Sequence, residues 1–281
     1  ITLERNYRSS ADIVQAANHV ISGRPGAVVL RARDSPSTPI RRHIAASDQR
    51  EADYIAQSIH NLLEQGRSGD DIAILTRFGA QSLLLETALA SKGLSTRVQG
   101  AKDYFEQPHI QRAVMEIRGA AVAGVEGELA TVVDDILHGI GFDGTPPDHA
   151  GAERSKYEDL LALRNLARSA DPSTTVMEFS TMLTTRKSAG DSPSVGAITI
   201  STVHSAKGRE WPVVFMMGLA EGLFPISYAT TDAALEEERR LFYVGITRAR
   251  EELVLSMGER SKETSPLREL SRFVSGLSVS R

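Results

Sequence analysis

The sequence predicts an α/β fold, a parallel sheet flanked by helices and interrupted by an all-helical insertion. Three observations carry that expectation. Short β-branched runs alternate with amphipathic segments up to about residue 100. From about 108 to 194 the apolar spacing is almost entirely helical. Strand-like runs then return at 197–201 and 213–217. The expected division is therefore 1–112 with 195–281 for the sheet domain, and 113–194 for the insertion.

Each element has its own signal. Ser9 or Ser10 suits the cap of a helix carrying Ile13, Val14, Ala17 and Ile21, which closes near Gly23 and Pro25. Residues 28–30 read as a short strand, 33–39 as a polar loop, and 40–44 as a strand weakened by Arg41 and Arg42. Ile55, Ile59, Leu62 and Leu63 mark a helix over 49–65, ended by Gly66. A buried strand is expected at 71–75, a helix at 83–89 and a short strand at 96–98. The insertion offers helices at 110–122, 129–140, 157–167 and 176–183, with a Gly- and Pro-rich loop at 141–151. A helix over 233–244 and a strand at 253–255 complete the chain, which has no internal repeat or low-complexity tract.

The composition excludes several classes. The 281 residues suffice for one or two domains, with 41% hydrophobic and 24% charged residues as in ordinary globular proteins. With no cysteine there is no disulfide framework and no thiolate metal site; this suits a reducing cytosol. No apolar run approaches the length of a membrane span, and no signal peptide opens the chain. A formal charge of -4 confines any nucleic-acid contact to local patches. Ile1 in place of methionine suggests a piece of a longer protein.

Three segments carry chemistry. In 237–250 an apolar helical run leads to Gly245 and Thr247, which suit a helix end or turn, and then to Arg248. Arginine keeps its charge and offers a planar fork that matches phosphate oxygens. Supplied from a neighbouring domain, such an arginine accelerates phosphoryl transfer by roughly 10³ to 10⁵. Glu236, Glu237, Glu238, Glu251 and Glu252 are close in sequence, so an exposed, salt-bridged arginine is the competing reading, and composition alone favours it. Tyr7 and Arg8 pair an aromatic face with a second cation, or else pack and solvate ahead of the first helix. At 199–210 a strand ends in a loop holding Thr202, His204, Ser205, Lys207 and Gly208, the kind of strand-end loop where α/β sheets bind ligands. Glu210 there suits a ribose hydroxyl, whereas His204 is more commonly bonded within such a loop.

Arg77 follows the 71–75 strand and serves equally as a phosphate ligand or a surface cation. Asp134 and Asp135 imitate a metal-binding acidic pair, but Leu129, Val132, Val133, Ile136 and Leu137 place them on a helix, solvated. No metal site is expected. Trp211 should pack where the 213–217 strand begins. No G-x-x-x-x-G-K-[ST] loop occurs, so the nest and lysine that cradle β and γ phosphates are absent from this chain.

These segments resemble the second motor domain of the UvrD/PcrA/Rep family of superfamily 1A DNA helicases. Residues 3–9 resemble motif IV, 72–77 with 80–82 and 100–114 the motif IVa region, 200–215 motif V running on to Glu221 and Pro225, and 238–252 motif VI. Arg209, Gly79 and Ile226 stand where the family usually has leucine, asparagine and histidine. The resemblance implies a RecA-like fold for the sheet domain (2A) and a short 2B domain for the insertion. It implies that Tyr7 stacks on adenine, that Arg8 touches the γ-phosphate, that Glu210 holds the ribose and that Arg248 is the arginine finger. Thr202, His204, Arg77, Lys207 and Gly208 would contact DNA. ATP and Mg²⁺ would be the cofactors, the Mg²⁺ ligands and Walker lysine lying on an N-terminal motor domain. The partners would be that domain, single-stranded DNA and single/double-strand junctions, with no membrane. The setting would be a bacterial cytoplasm, with nucleoid association. The whole protein would be a 3′→5′ helicase, and this chain alone should not hydrolyse ATP. The rival readings are a non-motor DNA- or protein-binding module and a subunit of a recombination helicase–nuclease.

Overall fold

The computed structural model describes residues 5–24, 27–32, 38–99, 101–145, 147, 152–188, 196–262 and 264–280. Two compact units emerge, one of Ile1–Arg77, Leu83–Arg97 and Ser194–Arg281, the other of Phe78–Ser82 and Val98–Pro193.

The first unit holds two sheets. Strands β1 (Arg5–Asn6) and β2 (Arg31–Ala32) form a small parallel pair around helix α1 (Ala11–Ile21). There follow β3 (Arg41–Ala45), α2 (Asp48–Glu64), β4 (Ile72–Thr76), α3 (Ser82–Ala90) and β5 (Thr96–Gln99). The second unit contributes α4 (Ala101–Glu106), α5 (Pro108–Val122), α6 (Leu129–Gly139), α7 (Ala152–Ser169) and α8 (Val176–Ser188). The chain returns to the first unit with β6 (Ile198–Thr202), β7 (Trp211–Met216), α9 (Asp232–Ile246) and β8 (Ala249–Gly258). The main sheet runs β3-β8-β7-β4-β6-β5, and the pairings from β3 through β6 are parallel.

Alternation along the strands sorts its two faces. Ala73, Leu75, Val214, Met216, Leu253 and Leu255 join Ile13, Ala17 and Val20 of α1 and Leu241, Phe242 and Ile246 of α9 in one core, which Phe224 and Phe273 extend. The opposite face carries Ile72, Ile74, Val213, Phe215 and Val254, all buried, with α2 against β3 and β8. Ser47 caps α2 by accepting from the Arg50 N–H, and Thr231 caps α9 by accepting from Ala234, contacts worth about 1 kcal/mol each.

The second unit is helical. Buried Ile110, Ala113 and Ile117 of α5, Val133 and Leu137 of α6, Leu160 and Leu163 of α7, and Phe179 and Leu183 of α8 supply its core. Its first boundary differs from the expected 112/113 break. Helix α5 runs unbroken through that point, and its apolar face belongs with α6, α7 and α8. Asp134 lies on a helix as expected, but it is paired rather than solvated. It accepts from Arg164 Nε at 2.9 Å and Arg168 Nη2 at 2.5 Å. Asp135 is exposed.

Two local expectations fail for visible reasons. Residues 28–30 form no strand, because the Asn18 side chain takes both the N–H and the carbonyl of Leu30. Strand β8 is far longer than 253–255, because Glu252 finds Arg41 and Arg67, and Glu251 finds Arg67, so these charges do not interrupt it. Parts of the loops expected at 33–39 and 141–151, along with Leu3, Glu4 and Gly100, lie outside the described residues. No helix among the described residues is long and apolar enough to cross a membrane.

Candidate nucleotide and nucleic-acid site

The register of the sheet separates the candidate residues. Thr202 ends β6 opposite Thr76 at the end of β4, at the C-terminal edge of the sheet. Trp211 begins β7 opposite Ala249 at the start of β8, at the N-terminal edge. Residues 203–210 therefore cross back over the sheet, on the order of 15 Å from edge to edge. Val203 and Ala206 anchor the crossing in the core shared with α1 and α9. Gly208, at φ 81°, adopts the left-handed conformation that lets the chain turn toward β7. Glu210 thus belongs to the edge opposite Thr202, although the two share one loop.

Backbone contacts assemble the N-terminal edge. Asn6 Oδ1 accepts from the N–H groups of Arg8 and Ser9 at 2.8 and 3.0 Å, which turns the chain after β1. Ser9 Oγ then donates to the Ala249 carbonyl, and the Ser10 N–H to the Arg250 carbonyl. The Trp211 N–H donates to the Arg248 carbonyl, and Trp211 packs at 6% exposure where β7 begins, as expected. Three chain segments distant in sequence therefore meet where β8 starts.

The side chains that converge there are charged. Arg8 Nε lies 2.5 Å from Glu210 Oε2, and Arg250 Nη1 lies 3.9 Å from Glu210 Oε1. Arg248 is half-buried and fixed by three donations: Nε to the Val244 carbonyl, Nη1 to the Arg209 carbonyl and Nη2 to Thr247 Oγ1. Gly245 belongs to the last turn of α9 rather than ending it. A methyl group there would lie 2.4 Å from Met216 Cε, so glycine leaves room for the tip of that side chain. Burial lowers the pKa of Arg248, and the neighbouring positive charge of Arg8 lowers it further, against the pull of Glu210 and Tyr243. Burial raises the Tyr243 hydroxyl, opposed by Arg248 and Arg8. Arg8 and Arg250 thus share one carboxylate while Arg248 donates to neutral oxygens, an excess of positive charge suited to a polyanion such as a triphosphate. Tyr7, 67% exposed, offers an open ring beside Arg8.

The C-terminal edge is built differently. Thr202 Oγ1 accepts from the Ser205 N–H and donates to Ser205 Oγ, which tightens the turn after β6. His204, Lys207 and Gly208 are exposed. Arg77, expected at a DNA surface, is not presented to solvent. It is 5% exposed, and its Nε and Nη2 grip the Glu238 carboxylate at 2.9 to 3.2 Å.

Sequence reasoning missed Tyr243, Arg250 and Glu238. Arg250 is the second residue of β8, two positions after Arg248 in the turn that precedes it. Glu238 carried no local signal, because its partner is 161 positions away. The arginine set fits a triphosphate. Among the described residues no three metal-ligating side chains gather.

The model of the UvrD-like helicase C-terminal domain matches residues 1–122 and 148–260. The ATP-dependent DNA helicase UvrD2 of Mycobacterium tuberculosis is 34% identical over 290 residues, covering 99% of this chain and 41% of the relative. DNA helicase II of Haemophilus influenzae is 26% identical, covering 99% of this chain and 50% of that protein. The ATP-dependent DNA helicase PcrA of Bacillus subtilis is 26% identical, with 91% and 46% covered. The chain spans about half the length, or less, of these relatives.

Proposed function

Because the chain belongs to the UvrD-like helicase C-terminal domain family, we propose that it supplies one wall of an ATP site shared with a second motor lobe, in an ATP-dependent 3′→5′ DNA helicase. The first unit is the 2A motor domain and the second a 2B-like insertion. The observation that carries the reading is the gathering of Arg248 with Arg8 and Arg250, the latter two paired with Glu210, at the N-terminal edge.

Each residue then has a task. Arg248, held flat by the end of α9, presents its fork to the γ-phosphate as charge develops in transfer. Arg8 reaches the same phosphate once it leaves Glu210. Glu210, released, accepts from a ribose hydroxyl. Tyr7 stacks on adenine. When bound, Mg²⁺ would neutralise phosphate charge from ligands on the other lobe. Thr202, His204, Lys207 and Gly208 contact the backbone of single-stranded DNA, and the 203–210 crossing links that contact to Glu210. Single/double-strand junctions are the natural substrate.

Reconstitution tests this. The isolated chain should show no ATPase above background, whereas the protein carrying both lobes should hydrolyse ATP with stimulation by single-stranded DNA. Turnover by the pure isolated chain would refute the shared site.

A further inference from the structure

Arg77 and Glu238 are a buried ion pair that none of the tasks above uses. Both side chains are about 5% exposed, and the pair is bidentate. Glu238 Oε2 also accepts from the Ile226 N–H at 3.3 Å. Burying two charges is a costly way to fill space, since apolar residues of similar volume commonly do as well or better. Such pairs are best attested where they fix the register between elements.

The placement of this pair says which elements. Arg77 directly follows β4, whose last residue Thr76 accepts from the Val203 N–H through its carbonyl, at the edge from which Thr202 and His204 project. Glu238 lies in α9, eight residues before its end at Ile246, which is on the order of 12 Å along the helix. Beyond that end stands Arg248. Helix α9 therefore spans the sheet. It is gripped by a charge near one edge and carries the candidate finger at the other.

We propose that Arg77 and Glu238 are positioning residues that lock α9 to the Thr202–His204 edge, so that DNA engagement there sets the placement of Arg248. This rests on the motor reading above. The pair touches neither nucleotide nor DNA. It works by making α9 and the end of β4 move as one body.

The test uses the protein with both lobes and three readouts: thermal midpoint, affinity for an oligo-dT strand, and ATPase with and without that strand. The double variant Arg77→Met/Glu238→Leu removes both charges at similar volume, and Glu238→Gln keeps the shape and breaks the ionic grip. We expect oligo-dT affinity within about threefold of wild type and a DNA-stimulation ratio reduced about tenfold. If the double variant fails to fold, Glu238→Gln decides. An unchanged ratio in a folded variant overturns the proposal. Weakened oligo-dT binding with an intact ratio also overturns it, since that would make Arg77 a DNA contact. A wild-type ATPase indifferent to DNA would remove the motor reading itself, an outcome separate from either.

Discussion

The two edges of the main sheet handle charge in opposite ways. At the N-terminal edge, Arg8, Arg248 and Arg250 stay at least partly open, and Arg8 and Arg250 share the carboxylate of Glu210. At the C-terminal edge the arginine is withdrawn. Arg77 is buried on Glu238, and His204 and Lys207 are exposed along the loop that leaves this edge. An edge with surplus guanidinium can wait for a compact polyanion. An edge of loop hydroxyls, one lysine and a buried strut suits a weaker grip on an extended backbone. Two connections, the 203–210 crossing and helix α9, join these edges.

The largest expected effect tests the first edge. Arg248→Ala in the two-lobe protein should cut turnover by roughly 10³-fold or more while ATP binding is largely retained. Steady-state ATPase and nucleotide titration measure the two. Lost binding with normal residual turnover would assign Arg248 elsewhere.

The next effect concerns a carboxylate buried under the C-terminal edge. Glu51 of α2 is fully buried, and its Oε1 accepts from Ser256 Oγ at 2.6 Å and the Gly218 N–H at 2.9 Å. Burial dominates and pushes its pKa from 4.5 up to about 7, although these hydrogen bonds pull it down. The folded state therefore holds this proton more tightly than the unfolded chain does. Its stabilising contribution is complete below about pH 4.5 and fades as pH rises through about 7. The change amounts to ~3 kcal/mol. Urea unfolding at pH 5 and pH 8 should show this slope in the wild type and its loss in Glu51→Gln. Identical slopes would show that Glu51 is charged in the fold.

The smallest effect belongs to the second edge. Lys207→Ala should weaken oligo-dT binding several-fold and reduce the salt slope of binding by about one. Nucleotide affinity should not change. A change in ATP affinity without a change in the salt slope would move Lys207 to the other edge.

Much of this architecture was legible in the residues. Apolar periodicity located α1, α2, α5, α6 and α9, and the apolar run at 71–75 located β4 to within one residue. The resemblance to helicase motifs, rather than any spacing, linked Tyr7, Arg8, Glu210 and Arg248 as one set. What stayed hidden depends on contacts between distant positions. Nothing near Arg77 announces Glu238, and Glu51 reads as an ordinary solvated residue in the first turn of a helix. The false strand at 28–30 arose likewise, because Asn18 satisfies Leu30 from a neighbouring helix. The assignment of Glu210 to the edge opposite Thr202 required the register of β6 and β7, which no local pattern encodes.

The central claim is that Arg8 and Arg248 serve one triphosphate, and a double-mutant cycle on kcat in the two-lobe protein tests it most directly. Arg8→Ala, Arg248→Ala and the pair together should give strongly non-additive losses, the double variant scarcely worse than Arg248→Ala, because both groups act on the same phosphate. Losses that simply multiply would mean that the two arginines act independently, and would contradict a single shared nucleotide.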